Sequence, residues 1–331
     1  MSDDFSTFLE TMQKISAVTA GIESRREEIV QDLIAAKAKR LPSKFFHYTS
    51  FQGISGMLQS NNLWATDFRF LNDATELIYG ARILLEELRN YGNKSGGDVS
   101  KFLERIANFY QEHGDTYRQF FETYIISLSE APDMLSQWRA YADNAHGHCV
   151  EFSFDDASLF TIIGSNTPWA MEISPVIYEE KIQRQLIQLG VKKVLAYLNS
   201  TEWTVSRVVN AGSEVEQGIM LGFLVHTFEP FVTSFKHPGF SEEREWRVVA
   251  SCASNLTDSH KKKNIRGGSY LECIFIQGDE INLWQRKCLP ITSIVHGPLT
   301  EGKAISDLER AIEEEGYKEL ISCKRSVIPL K

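Results

Sequence analysis

The sequence lacks the markers of several large protein classes. Its 331 residues include five cysteines, and no two of them form a Cys-x-x-Cys pair. Their odd number and wide spacing indicate neither a disulfide framework nor a cysteine zinc site. No apolar run reaches the length of a membrane span, and the acidic N-terminus does not resemble a signal peptide. These absences predict a cytoplasmic protein with no membrane contact.

Several common catalytic and nucleotide-binding signatures are also missing. The chain contains no Gly-x-Gly-x-x-Gly, no Walker loop, no His-Glu-x-x-His and no Gly-x-Ser-x-Gly. Their absence removes the main support for a dinucleotide-binding dehydrogenase, a P-loop NTPase, a zincin or an α/β-hydrolase. The net charge of −9 disfavours broad, non-specific affinity for nucleic acids or anionic membranes.

The pattern of apolar residues predicts an α+β fold. Residues 3–40 show helical spacing and end before Pro42, so we expect an N-terminal helical hairpin over 1–42. An α+β catalytic-like domain is predicted for 43–331, with a helical insertion at about 179–235. Strand-like and helical runs alternate without regular βαβ spacing, which indicates a split, mixed or antiparallel sheet surrounded by many helices.

A late stretch, 236–249, carries the strongest chemical pattern. It reads as a Pro-Gly turn followed by a strand. Glu243, Glu245 and Arg247 are two residues apart, so an extended chain would place them on one face. Trp246 and Val248 would point to the other face. The polar face is either solvated, with ordinary ion pairs, or it carries catalytic carboxylates held by an arginine.

Other polar groups occur where predicted strands end. His47 lies among aromatic residues on the first strand, Ser127 closes a later one, and Gly147 precedes another. Each has an ordinary structural explanation. His47 would be a histidine of the core, Ser127 would form hydrogen bonds in a turn, and Gly147 would permit a tight turn. A further cluster of polar residues follows the second strand: Arg69, Asn72, Asp73 and Glu76. Helix capping accounts for only one of these four residues.

Together these segments resemble an uncharacterised bacterial family of domains of unknown function. The resemblance covers residues 44–330, and members of that family often occur near phage-defence genes. It rests on the following motifs: Phe46-His47-Tyr48-Thr49-Ser50, Leu63-Trp64, Leu71-Asn72-Asp73, Ser127-Leu128-Ser129-Glu130, Trp138 with Tyr141, Glu243-x-Glu245-Trp246-Arg247 and Gly297-Pro298.

A second, weaker resemblance is to ADP-ribosyltransferases. The His-x-Thr of the first strand, the helix after it and the late Glu-x-Glu are similar to motifs of that fold. The resemblance implies an ADP-ribosyltransferase-like core in which NAD, as substrate, lies in the cleft of a split sheet. Tyr48 stands where many of these enzymes have a glycine after the histidine, and the segment between Ser129 and Glu243 is long for a minimal domain.

The same resemblance implies roles for individual residues. Glu245 would stabilise the oxocarbenium-like centre as nicotinamide leaves, and Glu243 would position or deprotonate the acceptor. His47 would contact ribose. The remaining predicted NAD-binding residues are Tyr48 or Trp64 on nicotinamide, Arg69 or Arg247 on the diphosphate, and Thr49, Asn72, Asp73 and Ser127 in the cleft.

We therefore expect an NAD-consuming ADP-ribosyltransferase or glycohydrolase that acts as a toxin or abortive-infection effector in anti-phage defence. Protein, RNA, DNA and water are all open as acceptors. A metal-dependent nuclease or phosphotransferase is an alternative, with Asp73, Glu76, Glu243 and Glu245 binding Mg²⁺. A non-enzymatic sensor is another. The N-terminal helices would restrain a harmful effector, bind a partner chain or mediate self-association.

Overall fold

The computed structural model describes residues 2–37, 41–70, 75–153, 158–162, 172–210, 214–253, 262–263, 269–277 and 289–330. Side chains are described for the same residues except 2–16, 69, 75–77, 113–121, 158–162, 172, 214–217, 219, 251–253 and 274–277.

Helices account for most of the described regular structure. In chain order they are α1 (Ser2–Lys37), α2 (Phe51–Ser60), α3 (Thr75–Ser95), α4 (Gly97–Phe120), α5 (Leu135–Tyr141), α6 (Glu180–Asn199), α7 (Val205–Asn210), α8 (Glu214–Ser234) and α9 (Gly302–Glu314). Short 3₁₀ turns cover Phe68–Phe70, Asp143–Ala145 and Pro238–Glu243.

The strands form one mixed sheet. They are β1 (Lys44–Thr49), β2 (Leu63–Asp67), β3 (Phe121–Ser129), β4 (His148–Ser153), β5 (Ser158–Ile162), β6 (Glu172–Pro175), β7 (Glu245–Ala253), β8 (Lys262–Lys263), β9 (Ser269–Gln277), β10 (Ile291–His296) and β11 (Ser322–Arg325). The order is β11-β10-β4-β1-β3-β2-β9-β5, with β7 on β3 and β6, and β8 on β9. The predicted α+β class is confirmed.

The chain divides into two compact units, each built from three segments. The helical unit contains residues 1–39, 74–121 and 177–238. It therefore includes the predicted insertion, which forms α6, α7 and α8. The sheet unit contains residues 40–73, 122–176 and 239–331, and it holds the sheet together with α2, α5 and α9.

The N-terminal segment differs from its prediction, because α1 is one continuous helix and not a hairpin. Its apolar residues Ile22, Ile29 and Leu33 are fully buried, and α1 packs on α6 and α8 within the helical unit. Gly21 does not break the helix. A Cβ there would lie 1.9 Å from the hydroxyl of Tyr197, so the glycine permits close packing against α6.

Strand β1 pairs unevenly with its two neighbours in the sheet. It pairs with β4 at six positions from Lys44 to Thr49. Between β1 and β3, by contrast, the structure records a single ladder position, Phe46 opposite Ser129. Beyond that position, the side chain of His47, and not its backbone, contacts β3. The sequence predicted a split sheet without placing the split, and in the described strands the ladder between β1 and β3 is short but present.

The aromatic residues of β1 alternate between two packed faces. Phe46 and Tyr48 belong to a core cluster with Trp138 and Cys149, while Phe45 packs edge-to-face on Trp246 with ring centroids 5.5 Å apart. The sequence predicts a final strand from Ile321 to Leu330, and the observed strand is shorter. Strand β11 ends at Arg325, after which residues 326–330 continue without regular pairing.

Candidate active site at the start of strand β7

The geometry of the late motif is set by a turn. Residues Pro238–Glu243 form a 3₁₀ helix, and Arg244 has a φ of 45°, in the left-handed region. Strand β7 begins only at Glu245. The predicted common face of Glu243, Glu245 and Arg247 is therefore wrong for Glu243, because the left-handed residue interrupts the two-residue period. Arg244 is exposed, and such non-glycine conformations are often found at functional sites.

Glu245 and Arg247 share a face of β7, as predicted, and they form a bidentate ion pair. The Nε of Arg247 donates to one carboxylate oxygen over 2.8 Å, and a terminal guanidinium nitrogen donates to the other over 3.1 Å. Glu245 is 6% exposed and Arg247 is 1% exposed. This face is therefore buried and not the solvated face of ordinary ion pairs. The pair fixes the orientation of the carboxylate within a dry environment.

The end of β3 holds the turn in place. The hydroxyl of Ser129 donates to the carbonyl of Glu243 over 2.7 Å, and the amide of Glu130 donates to the carbonyl of Arg244 over 3.1 Å. The indole of Trp246, on the opposite face of β7, donates to the carboxylate of Glu130. These contacts place Glu243 and Glu245 at one junction of β3 and β7.

Glu243 lies at the partly exposed edge of this junction. It is partly exposed, and its carboxylate accepts a hydrogen bond of 3.0 Å from the hydroxyl of Tyr141 on α5. The three-residue spacing of Trp138 and Tyr141 on a helix predicts core packing for both, so this polar contact of Tyr141 was not predicted. Glu130 was also not predicted as a site residue. Its position directly after Ser127-x-Ser129 is the one sequence signal that could have identified it.

His47 contacts the neighbouring part of β3. Its Nδ1 lies 2.9 Å from the carbonyl oxygen of Ser127, so Nδ1 carries the hydrogen. Burial lowers the pKa of His47, although the bond to the Ser127 carbonyl acts in the opposite direction. The ring is therefore neutral at pH 7, and its Nε2 is left as an acceptor that suits a hydroxyl donor. Ser127 itself is exposed.

Tyr48 faces away from this region. Its ring is buried against Trp138, with centroids 4.9 Å apart. Its hydroxyl donates to the carbonyl of Ala131 over 2.7 Å and accepts from the amide of Met134 over 3.0 Å. Burial raises the pKa of Tyr48. These contacts leave no ring face or hydroxyl for nicotinamide, so the geometry does not support the predicted role.

The remaining predicted residues are dispersed. Trp64 lies on β2 and stacks on Tyr270 of β9. Thr49 ends β1, opposite His148, and its hydroxyl lies against the backbone of Gly53. The side chain of Arg69 and the residues Asn72 and Asp73 lie outside the described part of the chain, so their predicted roles stay predictions.

Among the side chains that the structure describes, no group of three or more histidine, cysteine, aspartate or glutamate residues is arranged to hold a metal ion. Of the four carboxylates in the magnesium hypothesis, Asp73 and the side chain of Glu76 lie outside the described residues. Glu245 is already paired with Arg247.

Within the described helices, none is long and apolar enough to cross a membrane.

Comparison with known proteins gives one match. A family model described as "Protein of unknown function (DUF2971)" matches residues 137–248. This stretch runs from α5 to β7 and contains Tyr141, Glu243, Glu245 and Arg247. The predicted resemblance to an uncharacterised domain family is thus confirmed over this part of the chain. No curated protein and no solved structure matches the sequence.

Proposed function

We propose that the chain cleaves NAD at the bond between nicotinamide and ribose, as an ADP-ribosyltransferase or NAD glycohydrolase. The observation that carries this proposal is the buried Glu245–Arg247 pair on β7, together with the contact of His47 with β3, the strand that β7 adjoins. A fixed carboxylate in a dry site next to a neutral histidine suits a reaction that builds positive charge on a sugar.

Glu245, His47 and Glu243 have separate roles in the proposed reaction. As the glycosidic bond breaks, its electron pair leaves with nicotinamide, and the ribose becomes oxocarbenium-like. The carboxylate of Glu245 stabilises that charge, and Nε2 of His47 accepts a hydrogen bond from a ribose hydroxyl. The acceptor, water or a nucleophilic group, then attacks the ribose carbon and gives up its proton. Glu243, oriented by Tyr141, is the accessible carboxylate that receives this proton.

Arg247 has a different role from the predicted diphosphate contact. It is buried and bound to both carboxylate oxygens of Glu245. Arg247 therefore orients the catalytic carboxylate from within the sheet. The guanidinium of Arg247 partly offsets the negative charge of the Glu245 carboxylate. The proposal therefore requires that the positive charge on ribose approach the carboxylate more closely than the guanidinium does.

The test is nicotinamide release from NAD by purified full-length protein, followed by chromatography or NMR. We expect release by the wild type and a loss of about 100-fold or more in Glu245→Gln. Glu151→Gln is a control for the loss of a buried, ion-paired carboxylate, because Glu151 of β4 is as buried as Glu245 and is paired with Lys44 of β1 over 2.7 Å. Equal losses in both variants, or no release by the wild type with and without cell lysate, would refute the proposal.

The same assay separates the remaining alternatives. Release without lysate indicates a glycohydrolase, and release that needs lysate indicates a transferase whose acceptor is in the lysate. The nuclease alternative predicts nucleic-acid cleavage that depends on Mg²⁺ and stops with EDTA, with NAD unchanged. The sensor alternative predicts neither reaction and a biological activity that survives Glu245→Gln.

We propose further that the enzyme acts as an anti-phage effector, which the resemblance at the sequence level supports. Controlled expression should slow bacterial growth and deplete cellular NAD in the wild type, and both effects should disappear in Glu245→Gln. Growth arrest without NAD loss would separate toxicity from the proposed chemistry.

A further inference from the structure

Asp133, which lies just before α5, is a half-buried carboxylate that accepts hydrogen bonds from two parts of the sheet unit. One of its oxygens accepts from the indole of Trp138 over 2.6 Å and from the hydroxyl of Ser326 over 2.7 Å. The other oxygen accepts from the backbone amide of Val327 over 2.9 Å. The carboxylate therefore joins α5 to residues 326–330, which we call the strap.

The strap packs on the same core as α5. The side chains of Ile328 and Leu330 lie against the core cluster that contains Trp138, and Tyr141 is another partly buried neighbour of that cluster. The side chain of Trp138 is fully buried, so its hydrogen bond to Asp133 is shielded from water. Asp133 is thus the polar link between a packed strap and a packed helix.

Helix α5 extends this constraint to the candidate active site. Trp138 and Tyr141 are three residues apart, so they lie on one side of the helix. The helix has seven residues, and such a short helix turns as one body. Because Asp133 holds the indole of Trp138, it restricts rotation of α5 about its axis. On the next turn, the hydroxyl of Tyr141 donates to the carboxylate of Glu243 over 3.0 Å.

We propose that Asp133 is a positioning residue of the candidate active site. By binding both the strap and Trp138, it holds α5 in the orientation in which Tyr141 contacts Glu243. Its effect on NAD cleavage rests on the proposed function, in which Glu243 receives the proton of the acceptor. The orientation of α5 does not depend on that function and can be measured without NAD.

The first measurement is hydrogen exchange of residues 135–141 in the full-length protein. Asp133→Ala removes the acceptor that the strap and α5 share, and we expect exchange to accelerate about 10-fold. Asp133→Asn keeps one oxygen for Trp138 and Ser326 and should be intermediate. Val327→Ala is a matched control, because its side chain is 87% exposed and its amide remains, and it should exchange like the wild type.

The second measurement is the kcat and KM of NAD cleavage, followed as nicotinamide release. Asp133→Ala should lower kcat about 10-fold or less and leave KM within about two-fold, because it weakens one hydrogen bond to Glu243. Tyr141→Phe should act in the same way. The double variant should be no slower than Tyr141→Phe, since the contact through which Asp133 acts is already gone. A general loss of folded protein would slow both backgrounds by the same factor.

Two results would overturn the proposal. One is exchange of residues 135–141 that is equal in Asp133→Ala and the wild type. The other is a double variant in which the two losses of rate multiply. If Asp133→Ala does not fold, Val327→Pro removes only the amide hydrogen that binds Asp133, and it should accelerate exchange by a smaller factor. Unchanged exchange in that variant would also overturn the proposal.

A wild type that releases no nicotinamide would refute the proposed function and not the role of Asp133. Hydrogen exchange of residues 135–141 would still decide whether Asp133 orients α5. Normal nicotinamide release with unchanged exchange in Asp133→Ala would refute the positioning role and leave the proposed function standing.

Discussion

The two units bury histidine in opposite ways. In the helical unit, His226 of α8 lies 3.1 Å from a carboxylate oxygen of Glu229 and 3.6 Å from one of Glu23. Although burial opposes it, hydrogen bonding to these carboxylates raises the pKa of His226 to about 9. In the sheet unit, His148 and His296 have their Nδ1 atoms 3.1 Å apart. Burial and the neighbouring His296 lower the pKa of His148 to about 4.

This difference follows from the partners of each histidine, because His226 faces two carboxylates whereas the ring of His148 faces another histidine. The helical unit also has partly exposed ion pairs, such as Lys193 with Asp32. The sheet unit buries polar groups between layers, where an ion is stable only with a tightly matched partner. There, the Glu245–Arg247 pair is ionic, and the histidine pair stays neutral. The sheet unit therefore offers a fixed, dry carboxylate, which the proposed chemistry needs.

The largest effect should come from breaking the buried ion pair. Arg247→Met leaves the Glu245 carboxylate without its guanidinium, and we expect the unfolding free energy to fall by about 3–5 kcal/mol. Lys193→Ala in the helical unit removes a partly exposed pair and should cost less than about 1 kcal/mol. Urea unfolding of both variants measures the contrast, and similar losses would contradict it.

Acid should destabilise the sheet unit through the histidine pair. Unfolded histidine takes up a proton near pH 6.5, whereas native His148 stays neutral down to about pH 4. The unfolded state therefore binds more protons in this window, and stability should fall by up to about 3 kcal/mol as the pH drops from 6.5 to 4. Hydrogen exchange of residues 148–153 reports it. His148→Phe should flatten the profile, and an unchanged profile would count against the neutral pair.

Alkali should weaken the helical unit through His226. Its charged form is stabilised by Glu229 and Glu23, with Arg26 opposing. That contribution is complete below pH 6.5 and is lost as the pH rises to about 9. Because Glu23 is partly exposed, we expect about 2 kcal/mol. Hydrogen exchange of residues 221–234 should accelerate over this range in the wild type, and it should not in His226→Gln.

The smallest structural effect should come from Tyr141→Phe. It removes one partly exposed hydrogen bond to Glu243, so the unfolding free energy should change by about 1 kcal/mol or less. Under the proposed function, acceptor transfer should slow about 10-fold or less, while NAD binding stays constant. A loss of NAD binding in this variant would show that Tyr141 supports the fold of the site instead.

Local periodicity predicted much of this architecture. The β-prone runs 45–49, 63–67 and 291–296 predict strands, and the observed strands begin and end within a residue of these bounds. The strand-like apolar runs around Cys149 and Cys273 predict core positions, and both cysteines are buried. The α+β class followed from the irregular alternation of these runs with helices. The length and apolar spacing of these segments favour strands over other secondary structure, and the tertiary contacts of the sheet reinforce that local preference.

The errors arise where tertiary contacts override local pattern. The two-residue period of 243–247 gave no sign that Arg244 adopts a left-handed conformation, which depends on hydrogen bonds to the end of β3. The orientation of Tyr48 depends on Trp138, almost a hundred residues later. The apolar stripe of residues 3–40 predicted two helices, whereas α1 continues through Gly21, which accommodates Tyr197. Such partners are distant in sequence, so spacing alone cannot identify them.

The central claim is that Glu245 acts on the transition state of NAD cleavage and not on NAD binding. The most direct measurement compares the Kd for NAD, by calorimetry, with the single-turnover rate of nicotinamide release for wild type and Glu245→Gln. We predict Kd values within a few-fold and a rate about 100-fold lower or more in the variant. An unchanged rate, or a wild type that neither binds nor cleaves NAD, would contradict the account.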